Sequence, residues 1–140
     1  MRKKTGPTVL GTAIALTLAA APLSAADRIR AGQWEFSTTR AKGEAILSKH
    51  CITADEAASA NGDANTARAY TEKQAAGRCK VTDYKVAGAS VSYAMTCGPR
   101  SIRATATYHG DTFEGDQFTK DEGGPEIVSH VKARRVGNCP

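Results

Sequence analysis

Apolar and polar positions alternate in short runs along most of this chain. Between Ile29 and Arg40, Trp34, Phe36 and Thr38 fall on one face at a period of two, the spacing of a half-buried strand. A turn near Ala41-Lys42-Gly43 leads into a weaker second strand, Glu44 to Cys51. The pattern then changes. Thr53 with Glu56 three residues later forms a capping box, and the pair Asp55-Glu56 suits the positive end of a helix. Alanines continue to Asn61-Gly62, and a second alanine-rich stretch runs from Ala64 to Ala76 and stops at Gly77. Tyr70 is the one large apolar side chain between Thr53 and Gly77, so this helical excursion is expected to lie loosely on the surface.

Strand-like alternation returns at Cys79. Cys79 to Val86 and Ser90 to Cys97 flank Ala87-Gly88-Ala89, which reads as a three-residue hairpin loop. Ile102, Ala104, Ala106 and Tyr108 alternate with Arg103, Thr105, Thr107 and His109. Thr112 to Thr119 follows the turn at Gly110-Asp111, and Ile127 to Val136 follows Asp121-Glu122-Gly123-Gly124-Pro125. About seven strands with regularly spaced turns predict an all-β or β-dominated fold. The expected architecture is an antiparallel meander forming a small barrel or sandwich, with the helical excursion between the second and third strands.

The first 26 residues stand apart. Arg2-Lys3-Lys4 is basic, Val9 to Leu23 is apolar or small, and Ser24-Ala25-Ala26 offers small residues for a cleavage. This is the form of a secretory signal peptide, too short and too interrupted by Pro22 to serve as a membrane anchor. The expected organisation is a leader over 1–26 and one disulfide-stabilised β domain over 27–140, periplasmic and with no transmembrane segment after cleavage. Removing the leader leaves 16 Lys and Arg against 14 Asp and Glu, a net charge of +2. The basic balance therefore belongs to the leader, and a nucleic-acid partner is not expected. Leu, Ile, Val and Phe together supply only 15 of the 114 remaining residues, a thin core of the kind that disulfides usually reinforce.

Four cysteines, Cys51, Cys79, Cys97 and Cys139, allow three pairings. With Gly88 at the centre of its hairpin, Cys79 stands opposite Cys97 and Val81 opposite Met95. That favours Cys79–Cys97 with Cys51–Cys139. The runner-up, Cys51–Cys79 with Cys97–Cys139, would clamp the helical excursion. No pair shows the close spacing of a zinc module or a redox C-x-x-C, and no metal or cofactor is expected.

A set of short motifs recurs in order: Gly32-Gln33-Trp34-Glu35, Cys51-Ile52-Thr53, Cys79, Cys97, Gly110-Asp111-Thr112-Phe113-Glu114-Gly115, and Arg134-Arg135-Val136-Gly137-Asn138-Cys139. With these the chain resembles a family of small exported proteobacterial proteins classed as a domain of unknown function, number 3617. The resemblance implies a periplasmic β-protein with two disulfides, and it implies no activity.

Catalytic chemistry has little support. His50 is next to Cys51 on a strand and so points to the other face, while His109 and His130 read as surface residues. No nucleophile elbow, phosphate loop or paired-carboxylate motif occurs, so no catalytic residue is expected. Trp34, Phe36, Tyr93 and Tyr108 are candidates either to line a ligand cavity or to fill the core. Arg134 and Arg135 point to opposite faces of the last strand; an inward one, with Arg135 the candidate, would meet a ligand or pair with Glu35. Two functions remain: a non-catalytic binding module for a small apolar or anionic ligand or an envelope component, and an inhibitor or interaction scaffold working through exposed loops. A cavity lined by the aromatic side chains would favour the first.

Overall fold

A computed structural model of the chain describes residues 28–40 and 43–140; the expected leader, 1–26, lies outside them. Seven strands and two helices follow in the order β1 (Gly32–Arg40), β2 (Ala45–Ile52), α1 (Ala54–Asn61), α2 (Ala64–Gln74), β3 (Lys80–Ala87), β4 (Ser90–Cys97), β5 (Arg100–Tyr108), β6 (Thr112–Asp121) and β7 (Glu126–Gly137). The strands join one antiparallel sheet in the order β2-β1-β7-β6-β5-β4-β3. β3 to β7 form the predicted meander, and β7 returns to pair with β1 from Gln33↔Gly137 to Arg40↔Ser129. The predicted β-dominated meander is therefore present, but it forms neither a barrel nor a sandwich. The sheet stays open at β2 and β3, because the chain joining those two edges runs as helix and offers no strand to bridge them.

The excursion begins as its sequence dictates. The Thr53 hydroxyl accepts from Glu56 N and the Glu56 carboxylate accepts from Thr53 N, closing the capping box of α1. Asp63 caps α2 by accepting from Thr66 N at 2.8 Å. The helices are held more firmly than their small side chains suggest. Ala57 and Ala67 are buried, and Asn61 exchanges two hydrogen bonds with the backbone of Ile29. The Arg68 guanidinium donates to the Val81 carbonyl on β3 at 2.8 Å.

One face of the sheet carries the helices and the core; we call it the inner face. Trp34 is fully buried there, and its indole N–H donates to the Arg30 carbonyl at 2.9 Å. Ile29, Ile52, Ala57 and Ala133 complete the cluster, with Phe36, Tyr108 and Phe113 packed against it. Phe113 is the hub: its ring lies 6.0 Å from Trp34, 5.8 Å from Phe36 and 5.0 Å from Tyr108. Such contacts add about 0.5–1.5 kcal/mol each beyond area burial.

Both favoured disulfides form, Cys79–Cys97 and Cys51–Cys139. The hairpin that supports the first is tighter than expected. Ala87 pairs with Ser90, which leaves a two-residue turn, Gly88-Ala89, with Gly88 at φ +60°. A positive φ at the first turn residue is what a type II′ hairpin needs, and glycine supplies it without strain. A β-bulge at Thr82, between Val81 and Asp83, then restores the register so that Val81 still faces Met95. Cys51–Cys139 spans the start of β1 and ties the edge strand β2 to the end of β7.

The bridges close segments of very different length, 88 and 18 residues. In the chain-entropy account, replacing Cys51 and Cys139 by serine should cost about 4–5 kcal/mol, and replacing Cys79 and Cys97 about 3 kcal/mol. Urea unfolding of the two double variants measures the difference. Equal losses would show that the bridges act through local strain rather than through the unfolded chain.

Candidate functional site

Two surfaces hold the residues with chemical potential. On the inner face the chain's four tyrosines gather: Tyr84 and Tyr93 as direct cross-strand partners on β3 and β4, Tyr108 at the end of β5, and Tyr70 on α2 above them. Tyr84 and Tyr93 stack with ring centroids 5.8 Å apart and planes 7° from parallel. The bulge at Thr82 makes this pairing possible, since it shifts Tyr84 onto the face shared by Val81.

Arg28 stands on the same side. It is 3 % exposed, and its Nη2 donates to the Ala60 and Gly62 carbonyls at 2.9 and 2.7 Å, the end of α1 where the helix dipole favours a cation. Among the described residues its Nε and Nη1 are buried without a hydrogen-bond partner. A buried guanidinium with two idle donors is costly, and in native proteins such groups usually have an anion, a water or another acceptor to meet.

The sequence candidates divide on this face. Trp34 lines no opening, and Phe36 and Tyr108 pack on Phe113 within the core. Tyr93 is half-buried beside Tyr84. Arg135 does turn inward, but to its own chain: its Nε donates to the Ala31 carbonyl at 2.7 Å and its Nη2 to the Asn138 side-chain Oδ1 at 2.9 Å. Gly32 leaves room for it, since a side chain there would lie 2.4 Å from the Arg135 Nε. The ion pair with Glu35 belongs to Arg134, at 2.9 Å, on the opposite face. Beyond the helices the inner face is open and mixed: Ile46 and Ile127 are about half exposed and Val131 half-buried, and Thr38, Ser48, Gln117, Thr119 and Ser129 share that face.

The outer face is polar. Glu35 accepts from Arg134 and lies 3.2 Å from Lys49; the hydrogen bond from Arg134, then that from Lys49, holds its carboxyl below the usual value. Arg100 pairs with Asp121 and Arg103 with Glu126. An open groove of about 610 Å³ runs over β5, β6 and β7, lined in part by Thr105, Glu114, Asp116, His130 and Lys132, and His130 Nδ1 is hydrogen-bonded to Asp116 there. On the inner side His50 lies 3.8 Å from Glu56 of α1, and His109 sits in the turn where its carbonyl accepts from Asp111 N. The three histidines thus lie apart. Among the described residues no group of three or more His, Cys, Asp or Glu is placed to hold a metal ion, and both cysteine pairs are oxidised.

Sequence reasoning missed Arg28, Tyr84, Tyr70 and the His130–Asp116 pair. The last was accessible from the β6–β7 register, which sets Asp116 opposite His130. Arg28 left no signal, because its burial depends on where α1 ends.

Burial raises the Tyr108 phenol well above its ordinary value; Tyr84 and Tyr93 add to the effect, and Arg28 opposes it. Tyr93 and Tyr70 are raised in the same way, each chiefly by burial. The folded state therefore favours the neutral phenol. The stability this contributes is complete below the unfolded-chain value of about 10 and is lost as the pH rises above it. Thermal unfolding followed into alkali should show a steeper loss above about pH 10 for the parent than for Tyr108→Phe. Parallel losses would mean that Tyr108 ionises freely.

No curated protein and no solved structure matches the chain. The motifs shared with the expected family prove to be occupied by construction: Gly32 under Arg135, Trp34 in the core, Thr53 at the helix cap, Phe113 at the aromatic hub and the cysteines in their bridges. A family model described as "Protein of unknown function (DUF3617)" matches residues 29–139, and the chain belongs to that family.

Proposed function

We propose that this domain is a non-catalytic binding module, exported by its cleavable leader to the periplasm, that takes a small amphiphile with an anionic head against the inner face. The observation that carries this reading is Arg28, a buried cation with two donor atoms unpartnered among the described residues and within electrostatic reach of Tyr108. The same face carries the stacked tyrosines, and past the helices it exposes Ile46, Ile127 and Val131 among hydroxyl and amide side chains. A mostly apolar surface with a few fixed polar groups is the usual make-up of a small-molecule site. An envelope lipid or another envelope component with the same chemistry would fit equally well. The alternative, an inhibitor acting through exposed loops, finds only short connections after α2, such as Gly88-Ala89 and Gly98-Pro99.

Decanoate and decanol, equal in chain length and different in head group, provide the test. Titrated into the exported domain, decanoate should bind at least tenfold more tightly and shift the NMR signals of Tyr84, Tyr93 and Tyr108. Arg28→Met should remove the preference for the carboxylate, and Tyr93→Ala should weaken both probes. Absence of binding to either probe, or shifts confined to the outer face, would refute the reading.

A further inference from the structure

The two edges of the open sheet are not equivalent. β3 is protected: it carries the bulge at Thr82, the charged side chains Lys80, Asp83 and Lys85, and the contact of Arg68 from α2. These are the means by which proteins keep an edge from pairing with another chain. β2 lacks them. It runs in unbroken register with β1 from Gly32↔Ile52 to Thr39↔Ala45, with no bulge and no proline, and no described strand pairs with its outer side. Ile46 and Leu47, on opposite faces of the strand, are 51 % and 78 % exposed.

We propose that β2 is a homodimerisation edge, pairing antiparallel with β2 of a second copy about a two-fold axis at Leu47. A two-fold axis perpendicular to the sheet keeps the two inner faces on one side, so inward residues must meet inward residues. Within that rule the strand's own sequence selects the register. An axis at Lys49 would oppose two ammonium groups, and one at His50 two imidazoles. The axis at Leu47 sets the most exposed apolar side chain of β2 against its copy. It also places Ile46 beside Ser48, Lys49 beside the small Ala45, and the Glu44 carboxylate beside His50 as a hydrogen-bond partner. The result is one continuous sheet of two seven-stranded halves. The contact involves little more than one strand from each copy, below the roughly 1,200 Å² of a standard interface, so the dimer should be weak and concentration-dependent.

This inference does not depend on the ligand reading, and its experiment uses no ligand. Sedimentation velocity of the exported domain from low micromolar to near millimolar concentration should show a monomer–dimer equilibrium. Leu47→Lys should weaken it at least tenfold while leaving the thermal midpoint unchanged, since Leu47 is already largely in solvent. Under mild oxidation, Leu47→Cys should form a covalent dimer readily and Ile46→Cys should not, because only position 47 meets itself. A wild-type chain that stays monomeric throughout overturns the proposal. So does cross-linking through position 46 in place of 47, or capture of the β2 edge only by a different protein's strand.

Discussion

The pairing of β1 with β7 is the constraint on which the rest of the structure depends. The meander from β3 to β7 is built from neighbours in sequence, whereas β1 pairs with a strand about a hundred residues downstream. That one ladder brings Trp34 over Ala133 and Phe113, seats Arg135 against Gly32, and sets Glu35 opposite Arg134. It also fixes where α1 can lie, because β2 hangs on β1 and α1 follows β2. Non-local pairing of this kind forms late and at a high cost in loop entropy. The Cys51–Cys139 bridge spans the same junction, so it removes part of that cost from the unfolded chain.

Most of the strand order was legible because the alternation is local. The start of α1 was legible too, since Thr53 with Glu56 is a local signal; the Asp63 cap of α2 is equally local and went unread. The disulfide arithmetic reached the right pair by a route the structure corrects: the turn is one residue shorter, and the bulge at Thr82 compensates. A bulge cannot be read from residue types, because Thr82 would suit a regular strand equally well. Closure was the harder matter. A run of seven strands is compatible with a barrel, and only the tertiary position of two alanine-rich helices determines that the edges stay apart. Arg28 was invisible for a similar reason: nothing in the residues around it announces that it will lie beneath the end of a helix.

The residues that carry the family resemblance have scaffold duties, and this explains why recognising the family yields no activity. The Gly110-Asp111 turn is one such case. Gly110 exchanges backbone hydrogen bonds with Arg28 and Arg30, and Asp111 pairs with Arg30 at 2.8 Å while its carbonyl accepts from Arg135 N. The backbone of Gly110 and the carboxylate of Asp111 are thereby spent on locking the N-terminal segment to the sheet. Chemistry directed outward has to be sought elsewhere, in the tyrosines and in the idle donors of Arg28. Neither belongs to a sequence motif.

The scarcity of aliphatic residues bears on that division. With Leu, Ile, Val and Phe so few, the fold gathers its aromatic side chains around Phe113, buries Val81, Val91 and Met95 on β3 and β4, and relies on backbone ladders and two bridges for the remainder. A sheet stabilised in this way need not cover its whole inner face. Ile127 and Ile46 remain half exposed there, and α2 reaches β3 through a single arginine and a buried alanine. In a domain that stabilised itself by filling its interior, leaving such a face open would forfeit much of its stability. Here the stabilising contacts lie elsewhere, so the face is free to receive another molecule.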